Sequence, residues 1–340
     1  MTHARPVLAW PLSIRLLVLA IVTVLVLIIA IRLGAVSMST SALFEAVAGR
    51  GDPTTVTIIR QLRLPRALQA ALVGGALAIA GATFQALLRN PLAEPYTLGV
   101  SSGAAAGAVL TVVTGWSIRT VWALPAAAFA GGAVAMLLVF RIAFSVGGSR
   151  SLDTRVLLLA GVVVSAFLIA IVWLVLTFAD TDSVRSAIFW MLGSNAGASW
   201  RSVGILFVCF VPALVILRSL ARPLNLLSIG EPTAAYLGTS VEKTKLVAFG
   251  TATLITAASV SVSGTIGFVG LIIPHAIRLV WGSDHRGLLP CSALAGAAFL
   301  VAADTLARYV AGANELPIGI VTALIGVPCF VWLLRRPGTQ

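Results

Sequence analysis

At 340 residues the chain is long enough for about two soluble domains, but 59% of its residues are hydrophobic, only 10% are charged, and the mean hydropathy is +1.05. An ordinary soluble domain is roughly 25% charged, so this chain lacks the polar surface to face water all round. The net charge of +12 and the pI near 11.3 do not point to nucleic acid, because the basic residues punctuate apolar runs, as positive-inside flanks and headgroup contacts do.

The length therefore counts bilayer crossings, each needing roughly 20 apolar residues, and the fold class is all-α integral membrane. Leu16 to Ile31 is an unbroken apolar run flanked by Arg5, Arg15 and Arg32. It is longer than the ~7–15 apolar residues of a signal peptide, which predicts a retained first helix within residues 1–33. Residues 34–62, with Gly49, Gly51 and Pro53, read as an external loop. Span two is predicted over Pro65–Leu88, span three over Tyr96–Thr114, span four over Val121–Phe144 and span five over Val156–Phe178, with Gly147–Asp153 a flexible turn.

Asp180–Ser199 is amphipathic and too polar to cross, and its Trp190 and Trp200 suit an interface. Span six covers Val203–Leu220 and completes the unit 63–220. A polar stretch, 221–245, precedes the unit 246–340, with span seven at Leu246–Val262, a short or broken span eight at Gly264–Trp281, span nine at Leu288–Val310 and span ten at Ile318–Leu334. Ten spans put both termini on one side. A cytoplasmic placement leaves fewer basic residues on the outer face, chiefly Arg50, Arg60, Arg63, Arg66, Arg119, Arg185, Arg201 and Arg308. Small residues inside the spans, such as Gly74, Gly75, Gly81, Gly131 and Gly132, predict close helix packing. Ala80–Pro91 and Ser263–Pro274 share Gly, Leu and Pro at a fixed offset, a weak hint of the inverted repeats common in transporters.

Enzyme chemistry finds no support. Cys209, Cys291 and Cys329 lie singly in apolar runs, and His3, His275 and His285 are scattered, so neither set suggests a metal or redox centre. GGSRS near residue 150 lacks the Lys-Ser/Thr ending of a P-loop. Asp304 is the main intramembrane acid, with Arg308 one turn later. The spacing favours a plain ion pair over a coupling-ion site.

Four stretches carry a family resemblance. RLPRALQAALVGGALAIAGATFQALLRNPLAEPYTLGVSSGAAAGA (Arg63–Ala108), GEPTAAYLGTSVEKTK (Gly230–Lys245), SGTIGFVGLIIPHAIRLVWGSDHRGLLP (Ser263–Pro290) and ELPIGIVTALIGVPCFVWLL (Glu315–Leu334) resemble, in order, the FecCD-type permeases of bacterial ABC importers for ferric siderophores, haem and cobalamin. The resemblance implies about ten helices per subunit in two inverted-topology halves and a location in the cytoplasmic (inner) membrane. It also implies a second permease subunit (a homodimer), two cytoplasmic ABC ATPases and a periplasmic or lipid-anchored binding protein. No cofactor would be bound by this chain itself, ATP and Mg residing on the ATPase.

The resemblance further implies that Arg63, Arg66 and Arg308 meet carboxylates of the binding protein, where charge pairs would steer docking. By the same likeness Asn90, Leu92 and Thr154 belong to a cytoplasmic gate, although the charged Arg155 departs from the pattern. Gly230, Glu231, Pro232, Ala234, Leu237 and Gly238 would form short helices in the ATPase cleft, with Glu231–Pro232 as helix start and Gly238 as stop. His275 and His285 fall in signatures present irrespective of substrate, so haem ligation is not expected of them. A ferric siderophore is the default cargo, with cobalamin or haem as alternatives. An ion-coupled carrier or a transport-inactive assembly subunit are the rival classes.

Overall fold

A computed structural model describes residues 10–33, 40–146, 153–311 and 316–334. The described residues are helical with no strand. The chain runs α1 (Leu12–Arg32), α2 (Thr40–Val47), α3 (Pro53–Thr57), a π-helical turn (Ile58–Arg63), α4 (Leu64–Leu87), a 3-10 turn (Pro95–Leu98), α5 (Val100–Val113), α6 (Trp116–Arg119), α7 (Ala123–Val146) and α8 (Thr154–Thr177). It continues through α9 (Thr181–Met191), α10 (Trp200–Ser219), α11 (Ala221–Ile229), α12 (Glu231–Tyr236), α13 (Val241–Ser263), α14 (Val269–Trp281), α15 (His285–Ala311) and α16 (Ile318–Leu334).

Seven of these helical stretches are long and apolar enough to cross a membrane, and three shorter apolar ones, α5, α14 and α16, fill the remaining places. Together they match the ten crossings read from the sequence. The helices start where the side chains dictate. Asp180 accepts from the Ser183 N–H at 2.9 Å ahead of α9, a contact that holds its carboxyl below the usual carboxylate range. Ser199 and Ser202 form a reciprocal capping box on α10.

Three expectations need correction. Residues 34–62 are not a loop: 40–47 and 53–63 are helical, and only 34–39 lie outside the described residues. Pro53, read as loop punctuation, is the first residue of a helix capped by Asp52, whose carboxylate accepts from the Thr55 N–H at 2.8 Å. Val241–Lys245, assigned to the polar segment, is the first turn and more of the span helix α13. The repeat hint fails locally, since Ala80–Leu87 is the end of one helix while 264–268 is unwound before α14. The Gly147–Asp153 turn is described only at Asp153.

A different symmetry is visible. α4, α5, α7 and α8 form one run of four, and α13 to α16 another. Each run begins with a long helix, then an unwound stretch (88–94 and 264–268), then a short helix of 14 or 13 residues. At 1.5 Å per residue such helices reach only about 20 Å, short of a roughly 30 Å hydrocarbon layer. The irregular stretches supply the rest, inside protein, where non-helical backbone is tolerated. The two runs point in opposite directions: α4 starts at the end of the bundle that carries Arg63–Arg66, whereas α13 starts at the opposite end.

α4 is the axis of the fold. Of its apolar window 83% is buried, against 22% for α1 at the periphery. Close approach requires glycine here, because a methyl on Gly74 would overlap the carbonyl of Gly296 in α15, and one on Gly103 the carbonyl of Gly131. Around the opposite end of α4, Phe84 meets Phe249 at 5.7 Å between ring centroids, and Phe249 meets Phe140 edge-on at 6.3 Å.

Candidate functional site

Two cavities open at the end that carries Arg63–Arg66. One, of about 680 Å³, lies between the start of α7 and the α9–α10 turn and is lined by Trp122, Phe189, Trp190, Ser199, Ser202 and Ser263 among others. The other, of about 640 Å³, is bounded by Leu192, Thr265, Phe268, Gly319, Leu324 and Val327. Among the described residues no acidic or basic side chain lines either, so none of these offers a fixed charge to grip an ion. Both touch the irregular backbone near Ser263–Phe268.

That backbone is held by the turn after α4. Tyr96 donates its hydroxyl to the Ile266 carbonyl and accepts from the Ile266 N–H, both at 2.9 Å. The Glu94 carboxylate accepts from the Phe268 N–H at 2.5 Å, where Phe268 adopts φ 69°, unusual for a residue with a side chain. Gln85 donates to the Gly270 carbonyl at 3.0 Å and accepts from Arg278. A second polar cluster sits beside the larger cavity. Ser202 donates to Gln69 Oε1 at 2.5 Å, and Gln69 donates to Asn195 Oδ1 at 3.1 Å, with Gln69 and Asn195 fully buried. Sequence reasoning missed all of these residues. A glutamine inside an apolar run, as at Gln69 and Gln85, is the one local sign that could have drawn attention to two of them, since a buried amide needs partners.

The expected docking arginines stand at one mouth, but their side chains turn inward. Arg63 donates to the carbonyls of Ile31 at 2.8 Å and Arg32 at 3.2 Å. Arg66 Nε lies 3.0 Å and Arg308 Nε 3.2 Å from the same Asp304 carboxylate, and the side chains are 12%, 13% and 2% exposed. Arg308 also reaches the carbonyls of Ala30 and Leu33, at 3.1 Å and 3.3 Å. The predicted Asp304–Arg308 pair is therefore present, enlarged to a three-residue clamp joining α4 to α15, while Arg63 and Arg308 tie the end of α1. At this mouth the exposed cations among the described residues include Arg32, Arg50, Arg60, Arg185 and Arg201, the last lying 5.4 Å over the Trp122 ring.

Of the expected gate residues, Asn90 and Leu92 share one turn. The Asn90 side chain accepts from the Leu92 N–H at 2.9 Å, and Leu92 is exposed. Thr154, expected in a turn, is instead the first residue of α8, behind the Asp153 cap. It is buried, and no hydrogen bond joins it to the Asn90 turn among the described residues.

The expected coupling residues form a compact unit at this same end. Gly230, at φ 148° and ψ 146°, breaks α11 from α12 in a conformation closed to other residues. Pro232 sits in the first turn of α12, and Gly238, at φ 81°, stops it. Ala234 is fully buried, whereas Tyr236 is 95% and Leu237 58% exposed. Glu231 Oε2 meets Lys245 Nζ at 2.6 Å.

A ten-crossing helical bundle with uncharged cavities near one mouth and a bare short helix at the other is the architecture of a membrane permease. The chain belongs to the FecCD transport family, whose family model matches residues 21–336, and is an ABC importer permease subunit. It is 46% identical to the cobalamin import system permease of Halobacterium salinarum, over 84% of this chain and 75% of that protein. It is 44% identical to an uncharacterised ABC transporter permease of Bacillus subtilis, over 86% and 83%. Among solved structures, a metal-chelate-type ABC transporter in an inward-facing conformation superposes with a TM-score of 0.84 at 34% identity, covering 96% of this chain and 100% of that one.

Proposed function

We propose that this chain is the pore-forming half of an importer that passes a large metal chelate across a bacterial cytoplasmic membrane, driven by ATP hydrolysis on two partner ATPases. The observation that carries this reading is α12. It is a short helix anchored by buried Ala234 and presenting exposed Tyr236 and Leu237 at the mouth opposite the cavities, the arrangement expected of a helix that fills another protein's cleft. With α12 on the cytoplasmic side, the Arg63–Arg66 mouth faces outward. A second, identical permease subunit across the path is part of this reading, as is typical of the family.

The cargo is set by chemistry the cavities do not select. Uncharged walls suit a bulky, already chelated metal and leave discrimination to the binding protein. A corrinoid is the first cargo to test, because the Halobacterium relative is named for cobalamin. A ferric siderophore, the default from the sequence, is the second, and haem the third. Docking of the binding protein falls to the exposed Arg50, Arg60 and Arg201 first, since engaging Arg66 or Arg308 requires their release from Asp304. An ion-coupled carrier is disfavoured because Asp304, the buried aspartate among the described residues, is already held between two arginines.

The test is ATP-dependent uptake in proteoliposomes holding the chain with its cognate ATPase and binding protein, against cobalamin, ferric siderophores and haem. Uptake that persists without ATP and follows an ion gradient would overturn the proposal. Leu237→Arg is expected to lower ATP-dependent uptake by about tenfold or more, since a charge at the centre of an apolar contact is costly to desolvate. Ala234 is a poor site for that test, because its burial makes any larger side chain a packing defect first.

A further inference from the structure

Lys245 is 1% exposed, a placement an ammonium tolerates only beside a partner. That partner is Glu231 Oε2, 2.6 Å away. Glu231 is the first residue of α12, and Lys245 lies on the second turn of α13. Between them, α12 is bounded by Gly230 and Gly238, both in backbone conformations that favour glycine. A six-residue helix between two such hinges could swing without dragging the span helix that follows it. The ion pair closes that freedom, because releasing Glu231, itself 27% exposed, would leave the Lys245 ammonium buried without this carboxylate.

One turn beyond Lys245, Phe249 is fully buried. Its ring lies 5.7 Å from Phe84 on α4 and 6.3 Å from Phe140 on α7. Phe84 is followed within a turn by Leu87, where α4 ends, and then by the turn that holds Asn90 and Leu92. We propose that the Glu231–Lys245 ion pair is the positioning contact through which displacement of α12 moves α13, and that Phe249 passes this movement to Phe84 and the Asn90 turn. The inference rests on the coupling role proposed for α12 and adds the route by which the motion leaves it.

The experiment uses the complete importer in proteoliposomes, with Lys245→Gln and with the exchange Glu231→Lys plus Lys245→Glu. Co-purification of the ATPase, ATP hydrolysis and uptake per ATP are measured for each. Lys245→Gln is expected to retain the ATPase and its hydrolysis while uptake per ATP falls about tenfold. The exchange is expected to recover most of that loss, the non-additivity expected of two residues in direct contact. Unchanged uptake per ATP in Lys245→Gln, loss of the ATPase from that variant, or an exchange no better than the single change would each overturn the proposal. Should Lys245→Gln fail to accumulate, the exchange alone decides: coupled transport supports the pair, its absence removes it. Failure of the unaltered chain to retain any ATPase would instead overturn the coupling reading itself.

Discussion

Asp304→Asn is expected to destabilise the chain by about 3–5 kcal/mol, the usual cost of removing one member of a buried charge cluster. Arg66 and Arg308 converge on this one carboxylate, at 3.0 Å and 3.2 Å, with the acid 2% and the arginines 12% and 13% exposed. Without it, two like charges face each other in a low-dielectric setting. Thermal unfolding in detergent measures the effect directly. Arg308→Ala is expected to cost less, because Arg66 still neutralises Asp304 in that variant. Equal stability of Asp304→Asn and the unaltered protein would show that the clamp contributes nothing to the fold.

Gly74→Val is expected to prevent accumulation of folded protein in the membrane. Even a methyl at this position overlaps the Gly296 carbonyl and crowds Leu300, and the opposing atoms are backbone of α15, which cannot rotate away. Overpacking of an ordinary core costs about 1–3 kcal/mol, and a backbone clash at the axis of the bundle belongs at or above the top of that range. Gly250→Val is the control, since nothing lies within 4 Å of a Cβ built there. Comparing the two by fluorescence-detected size exclusion separates close packing from a general intolerance of β-branched residues in helices.

The crossings were legible because lipid imposes a strong, local rule: a helix of sufficient apolar length has to cross or be buried. That rule located most spans to within four residues, while the starts of the seventh and the short eighth were five residues off. It is silent on helices outside the hydrocarbon, and Thr40–Val47 and Pro53–Thr57 were accordingly read as loop. The ends of α12 were also legible, since Glu231–Pro232 and Gly238 are local start and stop signals. Pairings between distant residues were not. Arg308 is one turn from Asp304 and was found by spacing, whereas Arg66 lies 238 positions away and was assigned to the exterior. The same distance hid Tyr96 from Ile266 and Gln69 from Asn195, contacts that only the packed bundle creates.

The stretch from Pro53 to Leu87 is helical throughout for 35 residues, roughly 50 Å at 1.5 Å per residue, against about 30 Å of hydrocarbon. Some 20 Å of it therefore stands clear of the lipid tails. Its inner part cannot tilt alone, because Gly74 is seated on Gly296 and Arg66 is tied to Asp304. α4 and α15 thus form one stiff lever, softened only at the π-helical turn Ile58–Arg63. A force applied to the exposed tip at Pro53 and Thr54 has two outcomes. It bends that turn and dies there, or it rocks both helices together and arrives, amplified by the length of the arm, beside the Asn90 turn.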